Sequence, residues 1–163
     1  MRLEQISLLD CEVMAKQLAK VDAEDGQSTW IYDEAMHRNA EYFSIMQKNP
    51  IGFVVLKKGG FGEVLFWLSI EPSKRYGSAG ALATYIALNY AFEKLKAKCI
   101  LSDVFQDNTK SMKIHKAIFV KHDDKRIVNN KKVTTFVMTR NKFEANKEMY
   151  DRVGRALRDS NYI

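Results

Sequence analysis

Cysteine and proline are scarce in this 163-residue sequence, with two of each. Cys11 and Cys99 are too few to build a disulfide scaffold, and Cys99 opens an apolar run, the pattern of a buried thiol in a reducing compartment. No apolar run approaches the roughly 18 residues of a membrane span, so no membrane association is expected. The stretch Met1 to Leu9 lacks the basic start and apolar segment of a secretory signal, and a cytoplasmic protein is expected. Histidine is also rare. His37, His115 and His122 show no metal-ligand spacing with each other or with the cysteines, so no metal site is expected. Repeats and low-complexity tracts are absent.

What the chain does contain is an ordinary globular composition, 46% hydrophobic and 28% charged, at a length that suits one domain. Lysine and arginine exceed aspartate and glutamate to give a net charge of +6. Such a surplus points to nucleic acid, an anionic membrane or a phosphate-rich small ligand. The pairs Lys57-Lys58, Lys125-Arg126 and Lys131-Lys132 are scattered over several elements and sit at expected hairpin ends. Lysines there deter sheet-to-sheet pairing. They are not gathered with aromatics on one face, so no nucleic-acid partner is expected.

The periodicity predicts a first helix over Ser7 to Lys20 and a short second one from Asp33 to about Asn39. Three runs, Tyr42 to Gln47, Ile51 to Lys57 and Gly62 to Ile70, are rich in aromatic and β-branched residues and read as an antiparallel meander. The third is apolar on both alternating faces, as a strand covered on both sides would be. An alanine-rich helix to about Lys96, a strand over Cys99 to Phe105 and a helix over Asn108 to Ala117 follow. A hairpin of Phe119 to Val128 and Val133 to Arg140 turns at Asn129-Asn130. Asn141 with Glu144 has the spacing of a capping box for a last helix whose apolar face is Met149, Tyr150, Val153 and Leu157. The expected fold is α/β, a mixed, mostly antiparallel central sheet with helices on both faces. Residues 1–143 form the expected domain, with 144–163 an appended helix packing on that domain or on a partner chain, which leaves a homodimer open.

The most informative stretch is a strand ending at Pro72, a turn with Lys74 and Arg75, and a helix starting near Ser78. A helix N-terminus exposes about four unpaired N–H groups and roughly half a positive charge. Small residues in its first turn let a phosphate approach. The same residues also suit a plain tight turn. The segments Glu63 to Pro72, Arg75-Tyr76-Gly77-Ser78-Ala79-Gly80 and Asn89 to Leu95 resemble the acetyl-CoA-binding core of the GNAT family of N-acetyltransferases. The family signature is Q/R-x-x-G-x-G/A; Arg75 and Gly80 match, and Ser78 replaces the first glycine. Asn108, Ser111 and His115 lie on a second family pattern, N-x-x-(A/S)-x-x-x-Y, with His115 at the tyrosine position and Phe119-Val120 in place of Gly-Phe.

The resemblance implies a GNAT-like fold, acetyl-CoA as acyl donor and two splayed strands with the pantetheine arm between them. It assigns the pantetheine amides to the backbone of Leu68, Ser69 and Ile70. It assigns the pyrophosphate to N–H groups of Arg75, Tyr76, Gly77, Ser78, Ala79 and Gly80, and the distal pantetheine or thioester to Asn108. Transfer to an amine requires a neutral nucleophile, stabilisation of the oxyanion and a proton for the thiolate. His115 shares a helix face with Ser111, Ile114 and Ile118, and reads either as that proton donor or as a core histidine. Asp103, flanked on its strand face by Leu101 and Phe105, is the expected base because burial would raise its pKa. Glu63 and Glu71 are alternatives, as is a water relay. Trp30, Tyr32, Tyr42 and Phe43 read as core, in a region where the family often builds its acceptor pocket.

The expected function is direct acetyl transfer from the CoA thioester to a primary amine on a small molecule. Segments Asn89 to Lys96 and Val104 to Asn108 look most like the branch that acetylates nucleotide-linked amino sugars. Ribosomal-protein N-terminal acetylation and catalytically impaired CoA binding are the alternatives.

Overall fold

The computed structural model describes residues 1–21, 39–74, 79–128 and 130–159. The expected short helix at Asp33 to Asn39 falls almost wholly outside them, as do Trp30, Tyr32 and His37. Seven strands form one sheet: β1 (Arg2–Ile6), β2 (Ala40–Met46), β3 (Pro50–Lys58), β4 (Glu63–Ile70), β5 (Cys99–Phe105), β6 (Val120–Val128) and β7 (Lys131–Thr139). Their spatial order is β1-β2-β3-β4-β5-β7-β6. Every pairing is antiparallel except β4 with β5. The mixed, mostly antiparallel sheet expected from the sequence is the one observed.

Among the described residues four α-helices pack on it: α1 (Leu8–Val21), α2 (Ala79–Glu93), α3 (Thr109–Ile118) and α4 (Arg140–Asp159). None of the described helices is long and apolar enough to cross a membrane. Helix α1 begins where the Ser7 hydroxyl accepts the Asp10 N–H at 3.1 Å and donates to the Asp10 carboxylate at 2.7 Å, a reciprocal cap. It buries Cys11, Ala15 and Leu18, spaced for one helical face, against Tyr42, Phe53 and Val55. Helix α2 covers the opposite face with Ala83, Ala87, Leu88, Ala91 and Phe92, all fully buried against Val54, Leu56, Val64 and Phe66. Alanines at every fourth position let the helix backbone approach the sheet closely. Strand β4 is therefore covered on both sides, with Trp67 turned to the α1 cluster and Phe66 to the α2 core.

Helix α4 departs from the expectation in three respects. It starts at Arg140, and the Thr139 hydroxyl accepts the Lys142 N–H at 3.2 Å, so Thr139, the last residue of β7, holds the first turn in place of Asn141. Met149 is 41% exposed; the buried stripe runs through Phe143 and Tyr150, two turns apart. Tyr85 of α2 stacks on both, with centroids at 5.6 and 5.0 Å. The side chains of Val153 and Leu157 lie outside the described residues. The boundary expected at 143/144 falls inside α4, whose first turns belong to the main core. Arg140 also donates to the Phe92 carbonyl at 2.9 Å and pairs with Glu93 at 2.6 Å, so the start of α4 caps the end of α2.

One close approach fixes the end of β4. Gly52 of β3 pairs with Ile70, and a Cβ at Gly52 would lie 2.1 Å from the Ser69 carbonyl oxygen and 2.9 Å from the Ile70 Cα. Both obstacles are backbone, so nothing flexible can yield. Gly52→Ala is expected to lower the unfolding free energy by about 1–3 kcal/mol through overpacking. Denaturant titration checks this, and an unchanged midpoint contradicts it.

Candidate active site

Strands β4 and β5 run side by side for three residue pairs only: Glu63↔Cys99, Val64↔Ile100 and Leu65↔Leu101. Both continue for several residues beyond, β4 to Ile70 and β5 to Phe105. Each is held from its outer side over that length, β4 by β3 and β5 by β7. The inner sides are thus free to diverge while the sheet stays intact, and a gap opens toward the carboxyl ends of the two strands. In α/β sheets ligands enter where neighbouring strands part in this way. Leu68, Ser69 and Ile70 all lie on the diverged part of β4, with the Ser69 carbonyl turned toward Gly52 of β3.

On the α3 side the apex of this gap is walled by a column of rings. Phe66, the first β4 residue beyond the paired segment, stacks with Phe119 at 6.4 Å, and Phe119 stacks with His115 at 4.9 Å. Phe136 lies 5.3 Å from His115 on another side. The mouth of the gap faces two helix starts. Helix α2 begins at Ala79, after a 3-10 turn ending at Lys74. Arg75, Tyr76, Gly77 and Ser78 lie outside the described residues. Among the described residues a Cβ on Gly80 would meet only the Ile70 Cδ1 at 3.6 Å, an ordinary contact, so their packing does not require glycine there. Asn108 is the N-cap of α3, its Oδ1 accepting the Ser111 N–H at 3.0 Å. That bond leaves its amide nitrogen outside the cap.

His115 is inward-facing, as its helical spacing predicts. Its Nδ1 lies 2.9 Å from the Ser111 carbonyl, which can only accept, so Nδ1 carries the proton. Nε2 is then an acceptor and receives the Ser102 hydroxyl at 2.9 Å. Burial pushes the imidazole pKa below 6.5, against a smaller opposing effect of the Ser111 bond, so the ring is neutral at neutral pH. Ser102, with 4% exposure, was not singled out among the sequence candidates. A signal was present: it is the lone hydroxyl on the β5 face of Ile100 and Val104, and a buried hydroxyl needs a partner.

The other candidates stand apart from that pair. Asp103 is on the opposite face of β5, and its surroundings differ from the apolar site expected. Its Oδ1 accepts the Thr135 hydroxyl at 2.6 Å and its Oδ2 meets the Arg126 guanidinium at 2.5 Å. Both oxygens are committed, which ties β5, β7 and β6 together. Glu63 is half-buried in the first β4–β5 pair, beside Cys99, whose thiol pKa is raised by burial and by the Glu63 charge. Glu71 accepts from the Ser73 hydroxyl at 2.7 Å and borders a cleft of about 250 Å3. That cleft lies between Met14, Gln17 and Leu18 of α1 and Ile51 and Gly52 of β3. Among the described residues no three His, Cys, Asp or Glu side chains are grouped to hold a metal ion.

No protein-family model matches the sequence, and no curated protein does. Solved structures do match. A chimera of the spermidine N-acetyltransferase SpeG from Vibrio cholerae and hSSAT superposes with a TM-score of 0.65 at 20% identity, over 88% of this chain and 99% of that one. A point mutant of Vibrio cholerae SpeG gives 0.68 at 15% identity, over 90% and 99%. The spermidine/spermine N-acetyltransferase SpeG from Vibrio cholerae, in complex with manganese ions, gives 0.65 at 18%, over 89% and 95%. The class defined by the chain path is the GNAT-type acetyltransferase fold, over nearly the whole length of both partners.

Because His115 excludes a proton when folded, its pKa is lower in the native than in the unfolded chain. The unfolded state takes up that proton first, so the contribution is intact above pH 6.5 and declines as pH falls through the window below it. Unfolding free energies measured across that window should fall with pH in the wild type and fall less steeply in His115→Gln. Parallel slopes would contradict a neutral, buried His115.

Proposed function

We propose that the protein is an acetyl-CoA-dependent N-acetyltransferase acting on a small-molecule primary amine. The observation that carries this reading is the gap between two parallel strands after three residue pairs, with a helix N-terminus at its mouth. In this reading backbone groups of Leu68 and Ile70 take the pantetheine amides, whereas the Ser69 carbonyl expected there is turned to Gly52 of β3, away from the gap. The first-turn N–H groups of α2, with Lys74 and Arg75, take the pyrophosphate. The amide nitrogen of Asn108 is left over to meet the distal pantetheine. The net charge of +6 fits a donor that carries several phosphates.

The acceptor enters through the cleft beside α1. Its described lining is apolar apart from Gln17 and Glu71, with one carboxylate and neither lysine nor arginine. Such a wall suits an ammonium group on an aliphatic stem better than a phosphate-bearing molecule. The solved structures of similar fold are named as spermidine N-acetyltransferases, which agrees in kind. An alkyl amine or polyamine is therefore the first acceptor class. The nucleotide-linked amino sugar suggested by the sequence needs cations near the cleft, and ranks second.

Release of CoA from acetyl-CoA, followed by a thiol reagent, tests the reading against polyamines, simple diamines, nucleotide-linked amino sugars and N-terminal peptides. Amine-dependent release with an aliphatic amine is the expected result. CoA binding with no turnover across that panel would leave a CoA-binding protein without transfer, and no CoA binding would overturn the reading. Gly80→Ala separates ligand approach from packing. Alanine in place of glycine favours the helical conformation by up to about 1 kcal/mol, and among the described residues its Cβ would meet only the Ile70 Cδ1 at ordinary contact distance. The variant is expected to be no less stable than wild type, yet to bind CoA at least several-fold more weakly by calorimetry. Unaltered affinity would remove the α2 N-terminus from the phosphate site.

A further inference from the structure

The apex of the gap holds two polar side chains, Ser102 and His115, that satisfy each other. Ser102 is the first β5 residue beyond the last β4–β5 pair, just as Phe66 is on β4. Around it the wall is apolar: Phe66, Phe119 and Phe136. Into this wall His115 projects Nε2, which meets the Ser102 hydroxyl at 2.9 Å, while Nδ1 is anchored 2.9 Å from the Ser111 carbonyl. A hydroxyl, an imidazole acceptor and a fixed third group form a chain along which one proton can move reversibly.

We propose that Ser102 and His115 act as a proton shuttle that carries one proton from the attacking amine nitrogen to the departing CoA sulfur. This rests on the N-acetyltransferase reading above. Attack of the neutral amine on the thioester carbonyl forms the C–N bond and leaves a positive charge on nitrogen and a negative charge on oxygen. Ser102 Oγ accepts the surplus proton from that nitrogen as its own proton passes to His115 Nε2. The imidazolium so formed keeps its Nδ1 proton on the Ser111 carbonyl. When the C–S bond breaks, the electron pair leaves with sulfur, and the proton returns from Nε2 through Ser102 to the thiolate. One proton has moved from nitrogen to sulfur, both held on the same tetrahedral carbon, and no outside acid or base is consumed. Ser102 is the catalytic residue; His115 acts through it.

The surroundings suit both halves of the cycle. Among the described residues His115 meets Ser102 of β5, Ser111 of its own helix, Phe119 at the end of that helix and Phe136 of β7, and none of these is charged. A neutral ring is therefore available as acceptor at neutral pH. Burial lowers its proton affinity, so the proton is given up readily to a thiolate. Asp103, on the other strand face and committed to Arg126 and Thr135, has no part in the transfer.

The test uses purified full chain, acetyl-CoA and the best acceptor from the thiol-release panel. Ser102→Ala is expected to lower kcat by about 10²–10⁴-fold, with the KM for acetyl-CoA nearly unchanged. Ser102→Thr, which keeps the hydroxyl, is expected to retain much of the rate. In wild type, kcat should fall as His115 takes up a proton below pH 6.5. In Ser102→Ala the residual rate should lose that limb. Nitrogen NMR of the labelled His115 ring adds a readout independent of variant folding: CoA added to wild type should shift the Nε2 signal. A Ser102→Ala enzyme with wild-type kcat, or an Nε2 signal unmoved at saturating CoA, overturns the shuttle while acetyl transfer stands. A wild-type protein that releases no CoA with any amine overturns the transfer reading and the shuttle together.

Discussion

The early parting of β4 and β5 is the constraint on which the rest of the molecule depends. Among the described residues seven strands form one hydrogen-bonded sheet, yet its only parallel pair is joined at just three positions. The arrangement is stable because each strand is fully held on its outer side, by β3 and by β7. A sheet interrupted at its middle would ordinarily lose a row of hydrogen bonds in an apolar interior, which is costly. Here the interruption opens toward the strand ends, where two helices begin. Gly52 is part of the same construction, since only a residue without Cβ lets the Ser69 carbonyl sit where it does.

The stacked rings give the gap its other property. Phe66, Phe119 and His115 form a continuous column from β4 to α3, and Phe136 closes it from β7. Desolvation by that column, more than any charge, controls the imidazole, and the Ser111 carbonyl fixes which nitrogen holds the proton. The opposite face of β5 has a different character. There Asp103 is bound by Thr135 and Arg126 and works as a cross-strand tie. Several other basic residues are similarly engaged at the surface: Lys121 with Asp124, Lys131 with Asp107 and Arg140 with Glu93. Exposed pairs of this kind add little stability, but they account for cations that would otherwise suggest a ligand.

Legibility in the sequence followed the strength of local signals. The strand Cys99–Phe105 stands at the bounds read from the sequence, and the helix read over Asn108 to Ala117 is found at Thr109–Ile118 with Asn108 as its N-cap. The start of α4 was misread because Thr139 and Asn141 are both good cap residues, and Glu144 completes a box only with the second. Which one caps depends on where β7 stops pairing, a property of the sheet. Met149 failed for a related reason. Adjacent to Tyr150, it lies about 100° round the helix, and only the position of Tyr85 decides which side faces inward. Ser102 escaped because serine carries no charge and no motif; its meaning appears once β5 and α3 are docked.

By itself the sequence determined the layered α/β architecture, the order of the described elements, the alanine-rich helix and the inward face of His115. These rest on local preferences and on the 2.0 and 3.6 periodicities, which neighbouring residues specify among themselves. Tertiary structure decided the partners. It set Nε2 of His115 on Ser102, drew Asp103 to Arg126 and Thr135, and brought Glu71 to the border of the cleft between α1 and β3. Each of these joins side chains from different elements, and their meeting is governed by sheet register and helix docking, which no local stretch of sequence encodes.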